Sequence, residues 1–262
     1  MKALLINIGI VVSAALEWTV IRMIKIQNVE TWGFEHAIRG MRNPLNSWEK
    51  SDSGCFIFEK EPPKEYIKKI GHTGFFSVVG KNDLELMQKL YKAGNEHRKY
   101  LRQIFVSMDI TAPLYWWKEF DTYKVGTVAN SCSTMHKIHA KEFVLDDFSH
   151  EHLSSVWKED EIVYYEEYGN VALEVLEFTV KALNHYRNLY LKTNDKNYWW
   201  YMIQLLPSSY NQRRTITMNY ENVVNMIHQR ENHKLDEWRE FTSILRGLPY
   251  VKQIIGEKEE VK

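Results

Sequence analysis

The sequence predicts an α+β domain in which an antiparallel-type sheet is flanked by helices. Two stretches of largely alternating apolar and polar residues, 23–29 and 103–111, read as strands, because side chains of an extended chain point to opposite faces in turn. Around them, apolar residues recur at helical intervals, as in 32–41, 160–192 and 235–245. Helices lie before and after the strands, an order that favours α+β over a regular βαβ alternation. No internal repeat, low-complexity tract or clear linker interrupts the chain. Residues 23–256 are therefore assigned to one domain, and 257–262 to a charged tail that frays.

The elements follow in order. After the strand at 23–29, the helix at 32–41 places Phe34, Ala37, Ile38 and Met41 on one side. Residues 42–54 form a polar loop too long for a simple turn, and 55–58 a short strand before Pro62-Pro63. Asn82-Asp83 caps a helix that runs to Ala93 and ends at Gly94. The strand at 103–111 is stopped at Pro113, and 114–124 suits a helix. Residues 125–135, rich in Gly, Ser, Thr and Asn, are either a plain loop or a place where backbone approaches a ligand closely. The long helix at 160–192, a helix at 197–206 closed by Pro207, and a penultimate helix at 235–245 complete the chain.

Composition narrows the function. At 262 residues the chain buries a substantial core. Lys plus Arg and Asp plus Glu are both 34, so no global field draws nucleic acid or an anionic membrane, and no stable nucleic-acid partner is expected. Cys55 and Cys132 form neither a disulfide framework nor a metal motif, which fits the cytoplasm. His136 with His139, and His150 with His152, match no zinc signature, so no metal is expected. Residues 3–15 look like a short signal segment, but Asn7 and Ser13 interrupt it, and a membrane span needs about 20 apolar residues. Residues 1–22 are read as an upstream extension or signal-like segment, with the functional chain starting near Met23 and no membrane association.

One run carries chemistry. In Asn219-Tyr-Glu-Asn-Val-Val-Asn225-Met-Ile-His-Gln-Arg230, Asn219 fits a helix N-cap, and Asn225 and Arg230 follow within one broad sector of the helix. Two amides and a guanidinium on one helix suit a planar, oxygen-rich ligand such as a nucleobase. The bland alternative is a cap and two solvated residues.

The spacing Leu206-Pro207, Asn219, Asn225, Arg230 resembles the C-terminal part of flavin-dependent thymidylate synthases. A second stretch, Ile104 through Ala112-Pro113 to Lys124, resembles the strand, Ala-Pro and short helix that precede that family's signature Arg-His-Arg-x-x-Ser-x-Asn-x-x-Ser-x-Arg. The resemblance implies an enzyme, a methyltransferase that makes dTMP from dUMP with FAD, NADPH and methylenetetrahydrofolate as a homotetramer. It places Asn219, Asn225, His97 and the Lys124 region on FAD, with Thr127 and Asn130 as further cofactor contacts. It places Arg230, Ser133 and Glu119 on the pyrimidine nucleotide.

The chain departs from the family at the phosphate wall. Arg-His-Arg becomes Thr122-Tyr123-Lys124, so one point charge stands for two bidentate forks. With one residue inserted, the signature's last Arg falls on Met135, beside His136. A nucleotide-binding Gln becomes Glu119, a flavin-side Glu becomes Arg102, and the Arg ahead of Leu-Pro becomes Ile203. Arg39, Arg42, Arg98, Arg102, Arg213 and Arg214 are candidate replacement cations. The loop with Arg39, Arg42, Asn46 and Ser47 is attractive because its polar groups follow a helix, and it is equally read as a solvated surface loop. The alternative function is a divergent relative that modifies another pyrimidine nucleotide, or a non-catalytic nucleotide-binding module.

Overall fold

The computed structural model describes residues 23–57, 75–155 and 171–257. The expected extension at 1–22, Pro62-Pro63, the first part of the 160–192 helix and the tail beyond residue 257 lie outside these residues. Six strands are described: β1 (Lys25–Trp32), β2 (Gly54–Ile57), β3 (Phe75–Val78), β4 (Phe105–Pro113), β5 (Thr127–Ser131) and β6 (Asn211–Asn219). The helices are α1 (Phe34–Arg42), α2 (Lys81–Lys92), α3 (Leu114–Phe120), α4 (Ala172–Thr193), α5 (Lys196–Leu205), α6 (Tyr220–Arg230), α7 (Asp236–Arg246) and α8 (Val251–Ile255). The architecture is α+β. Four strands pair antiparallel in the order β1-β4-β6-β5, and β2 and β3 form a separate antiparallel pair.

Alternation along the central strands sets the layers. Val106, Met108, Ile110 and Ala112 of β4 and Ile216 and Met218 of β6 are buried on one face. Against that face pack Phe34, Ala37, Ile38 and Met41 of α1, the Trp116-Trp117 pair and Phe120 of α3, and Val223, Val224 and Ile227 of α6. Trp238, Phe241 and Leu245 of α7 belong to the same cluster. The opposite face is polar. There Asp109 of β4 accepts hydrogen bonds from Asn28 Nδ2 (2.7 Å), Arg213 Nη2 and Thr215 Oγ1. Donation from Thr215, Arg213 and Asn28 holds the Asp109 carboxyl down to about 2. Asn28 reaches it because β1 is irregular between Gln27 and Glu30, with Asn28 at φ 52°. A second, smaller cluster joins α4 and α5 to residues 138–148, through Leu176, Leu183 and Met202 against Ile138, Phe143 and Phe148.

Several boundaries moved for physical reasons. The first strand runs to Trp32, and the following helix begins only at Phe34. Gly33, at φ 94°, makes the corner, where a Cβ would lie 2.1 Å from the Gln103 carbonyl oxygen. Helix α3 stops at Phe120, short of the expected Lys124. Residues 125–135 are not simply a loop, because they contain the edge strand β5. Strand β6 was not expected, although it holds the sheet's longest pairing with β4. Asn82 and Asp83 do not cap α2. Their backbone N–H groups donate instead to the Asp52 carboxylate, at 2.9 and 3.2 Å.

The polar loop after α1 turns inward. Arg42, only 4% exposed, donates through Nε to Asp83 Oδ1, through Nη1 to Ser47, and through Nη2 to the Lys50 carbonyl. Asp83 in turn accepts from the Ser51 and Ser53 hydroxyls and from the Asp52 and Ser53 amides. Burial pushes the Asp83 carboxyl up, but bonds from Ser53, Ser51 and Arg42 outweigh it and leave it below the usual carboxylate range. Arg42 and Ser47 are therefore part of the fold's interior, and neither is the replacement cation or surface loop residue that the sequence offered.

Candidate functional site

The Asn219–Arg230 run forms one wall. Strand β6 ends at Asn219, which starts α6 directly. Its Oδ1 accepts the Asn222 backbone N–H at 3.0 Å, the expected N-cap bond. Its backbone N–H donates to the Gly126 carbonyl at 3.3 Å. Gly126 sits at φ 74°, and a Cβ there would meet Asn219 Nδ2 at 2.3 Å. The missing side chain thus leaves the amide its place beside the segment before β5.

Asn222 is a contributor that the sequence reading missed. Its Nδ2 donates to the Val125 carbonyl (2.6 Å) and to Thr127 Oγ1 (2.9 Å), tying the start of β5 to the first turn of α6. Thr127 is thereby held at the end of β5 nearest Asn219, opposite Met218 of β6. One turn on, Asn225 Oδ1 accepts from Arg98 Nη2 at 3.2 Å. Arg98 lies over the Tyr91 ring, 5.5 Å from its centroid, and its Nε is buried without a hydrogen-bond partner. His97, next in sequence, is exposed.

Arg230 closes the helix on a different cluster. Its Nη1 donates to Glu119 Oε2 at 2.7 Å and its Nε to the Tyr123 hydroxyl at 3.0 Å. The guanidinium carbon lies over the Trp238 ring, 4.9 Å from its centroid and within cation–π range. His233 Nε2 is 3.1 Å from the same Glu119 oxygen. An open groove runs beside this cluster, lined by Tyr115, Glu119, His233, Lys234 and Leu235. Burial, together with a hydrogen bond to the Glu237 carboxylate, pushes the Tyr115 hydroxyl well above its ordinary range.

Other expected residues are placed less centrally. Lys124 is exposed between Tyr123 and Val125. Asn130 lies exposed on β5 opposite Thr215 of β6. Ser133 follows the end of β5 that pairs with Arg214, whereas Asn219 adjoins the other end. Its Oγ accepts the Met135 and His136 amides at 3.2 and 2.8 Å, so it caps its own turn. Among the proposed replacement arginines, Arg102 pairs with Glu221, Arg213 with Asp109 and Arg214 with Asp121. Arg39 is exposed and lines a second groove with Glu35, His36, Ser51 and Ser53.

No protein-family model matches the chain, and no curated protein sequence matches it. Solved structures do. A crystal structure of the flavin-dependent thymidylate synthase of Helicobacter pylori complexed with FAD and dUMP is similar at a TM-score of 0.55 and 18% identity. The match covers 87% of this chain and 97% of that one. A second structure of the same enzyme, with FAD and dUMP at 2.31 Å resolution, matches at 0.55 and 18%, over 88% and 95% of the two chains. The chain therefore has the flavin-dependent thymidylate synthase-like fold. Among the described residues, no helix is long and apolar enough to cross a membrane.

Proposed function

We propose that this protein is a flavin-dependent thymidylate synthase-like enzyme that binds FAD and a uracil nucleotide. The observation that carries the reading is one helix, α6, which presents Asn219, Asn225 and Arg230 in a fold shared with structures that hold FAD and dUMP. The chain's own residues suit a flavin. The two amides offer N–H groups to ring carbonyls, Gly126 keeps Cβ volume away from Asn219, and Thr127 and Asn222 brace the same corner. His97, Lys124 and Asn130 complete the cofactor side, with Lys124 as a point charge for phosphate. Arg230, with its guanidinium over the Trp238 ring, orients the pyrimidine, and Ser133 meets the nucleotide. Bound flavin would supply the hydride for reductive methylation of dUMP to dTMP, with NADPH as reductant and methylenetetrahydrofolate as carbon donor.

Ser133 stands at the far end of β5 from Asn219, which suits a homotetramer whose sites lie between subunits, in a cytoplasmic enzyme of one domain over 23–256. Phe178, Trp200, Tyr201 and Leu205 of α4 and α5 are exposed and are the apolar surface such an assembly would cover.

One observation favours a second reading. Glu119 already neutralises Arg230, and His233 adds a further partner, which fits a relative that accepts another pyrimidine nucleotide or binds one without turnover. Release of deuterium from C5-labelled dUMP, by FAD-loaded protein with NADPH and methylenetetrahydrofolate, tests the first reading. Folate-dependent release supports it. Nucleotide binding without release moves the assignment to the second, and failure to take up FAD rejects the flavin enzyme.

A further inference from the structure

Asn219, the N-cap of α6, and Asn225 within it are oriented by donors inside the protein. Asn219 Oδ1 accepts a backbone N–H, so its Nδ2 is the end left for a ligand. The same logic fixes Asn225. Arginine has five N–H donors and no acceptor, so the amide atom 3.2 Å from Arg98 Nη2 is the oxygen, and Nδ2 faces away. Arg98 itself is held by the Tyr91 ring, and Tyr91 by a 2.6 Å contact between its hydroxyl and His228 Nε2 on the last turn of α6. Arg98 Nε is buried and without a partner, so this side chain is placed at some cost to its own hydrogen bonding.

We infer that Arg98 is a positioning residue: it locks the Asn225 side chain so that α6 presents a donor-only edge, selecting a ligand that offers hydrogen-bond acceptors there. The inference rests on the flavin reading for the identity of that ligand, the carbonyl-bearing edge of an isoalloxazine ring. The orientation of Asn225 itself does not depend on it. Arg98 stands beside His97 in sequence, where the resemblance placed a flavin contact. It acts through Asn225, while His97 is exposed.

The test is a double-mutant cycle on the full chain, with FAD as the probe, read by flavin absorbance and by dissociation constant. Arg98→Met weakens FAD about tenfold when Asn225 is present, and less than about twofold in an Asn225→Ala background. Arg98→Lys, which still donates, retains most of the affinity. Asn225→Asp keeps the acceptor that meets Arg98 but loses the outward donor, so it weakens FAD tenfold or more with no loss of thermal stability. Equal weakening by Arg98→Met in both backgrounds, or an Asn225→Asp variant that binds FAD normally, would overturn the inference. The Asn225 side-chain amide signals in a ¹⁵N spectrum, assigned by their loss in Asn225→Ala, give a readout without flavin. They shift in Arg98→Met if Arg98 holds the amide; unchanged signals overturn its positioning role. Wild-type protein that ignores FAD, with this shift still present in Arg98→Met, rejects the flavin reading and leaves the positioning role standing.

Discussion

Arg42 and Arg230 each meet a carboxylate, yet the two pairs lie in opposite surroundings. The Arg42 side chain is 5% exposed and that of Asp83 is not exposed at all, and each is surrounded by further hydrogen-bond partners. Arg230 and Glu119 are 20% and 35% exposed, stand beside a groove and share their contacts with His233, Tyr123 and Trp238. Removing one partner of a sealed pair leaves a charge in a medium that cannot solvate it, whereas water replaces the partner of an open one. The first pair therefore belongs to the fold, and the second is available to a ligand.

Breaking the sealed pair has the largest expected effect. Asp83→Ala strands Arg42 and costs about 3–5 kcal/mol, measured as the loss of unfolding free energy in urea. Asp83→Asn, which can still accept from Ser51 and Ser53, costs less. A cost for Asp83→Ala no larger than that of a surface substitution would place Arg42 on the ligand side of the comparison after all.

Gly126→Ala comes next, because it strains a positive-φ position and crowds the Asn219 amide. It is expected to cost about 1–2 kcal/mol and to weaken FAD binding along with stability. Normal FAD affinity in this variant would remove Asn219 from the cofactor wall. A smaller effect follows from Glu119→Gln. Losing a half-exposed ion pair costs less than about 1 kcal/mol of stability. Freeing Arg230 and removing an anion raises dUMP affinity severalfold, about 1 kcal/mol in binding. A fall in affinity would make Glu119 a substrate ligand in its own right.

A pH limb on the polar sheet face tests the ion pair that the comparison leaves between these extremes, with the Asp109 side chain 11% exposed and that of Arg213 50%. The Asp109 carboxyl titrates at about 2 in the folded chain and near the ordinary 4 when unfolded. Its contribution to stability is thus complete above about pH 4 and is lost as pH falls towards 2. Urea midpoints across that window should decline in the wild type and flatten in Asp109→Asn. An equal slope in both would mean that Arg213, Thr215 and Asn28 do not favour the ionised form.

The comparison also explains what was legible in the sequence. Local signals were readable: Pro207 after α5, the alternation of β4, and the Asn219 cap all act within a few residues. Strand β6 was obscured because Arg213-Arg214 interrupts an alternation in which only Ile216 and Met218 are apolar on the core face. Strand β5 reads as a loop because an exposed edge needs no apolar alternation, and four of its five residues are exposed. The Arg42–Asp83 pair spans 41 residues and leaves no local pattern, so Arg42 looked like any loop cation. At the candidate site, the helix positions of Asn219, Asn225 and Arg230 were visible from spacing. The partners that orient them, Arg98, Asn222 and Glu119, depend on tertiary contacts between distant segments.

The most direct measurement pairs stability with binding on a single preparation of Arg230→Met. Its Tm is expected to stay within about 3 °C of the wild type, since the open pair contributes little to the fold. Binding of dUMP by the FAD-loaded protein is expected to fall tenfold or more, because an interaction with a charged donor is lost. Unchanged dUMP affinity, or a collapse in Tm like that of Asp83→Ala, would contradict the assignment of Arg230 to the ligand.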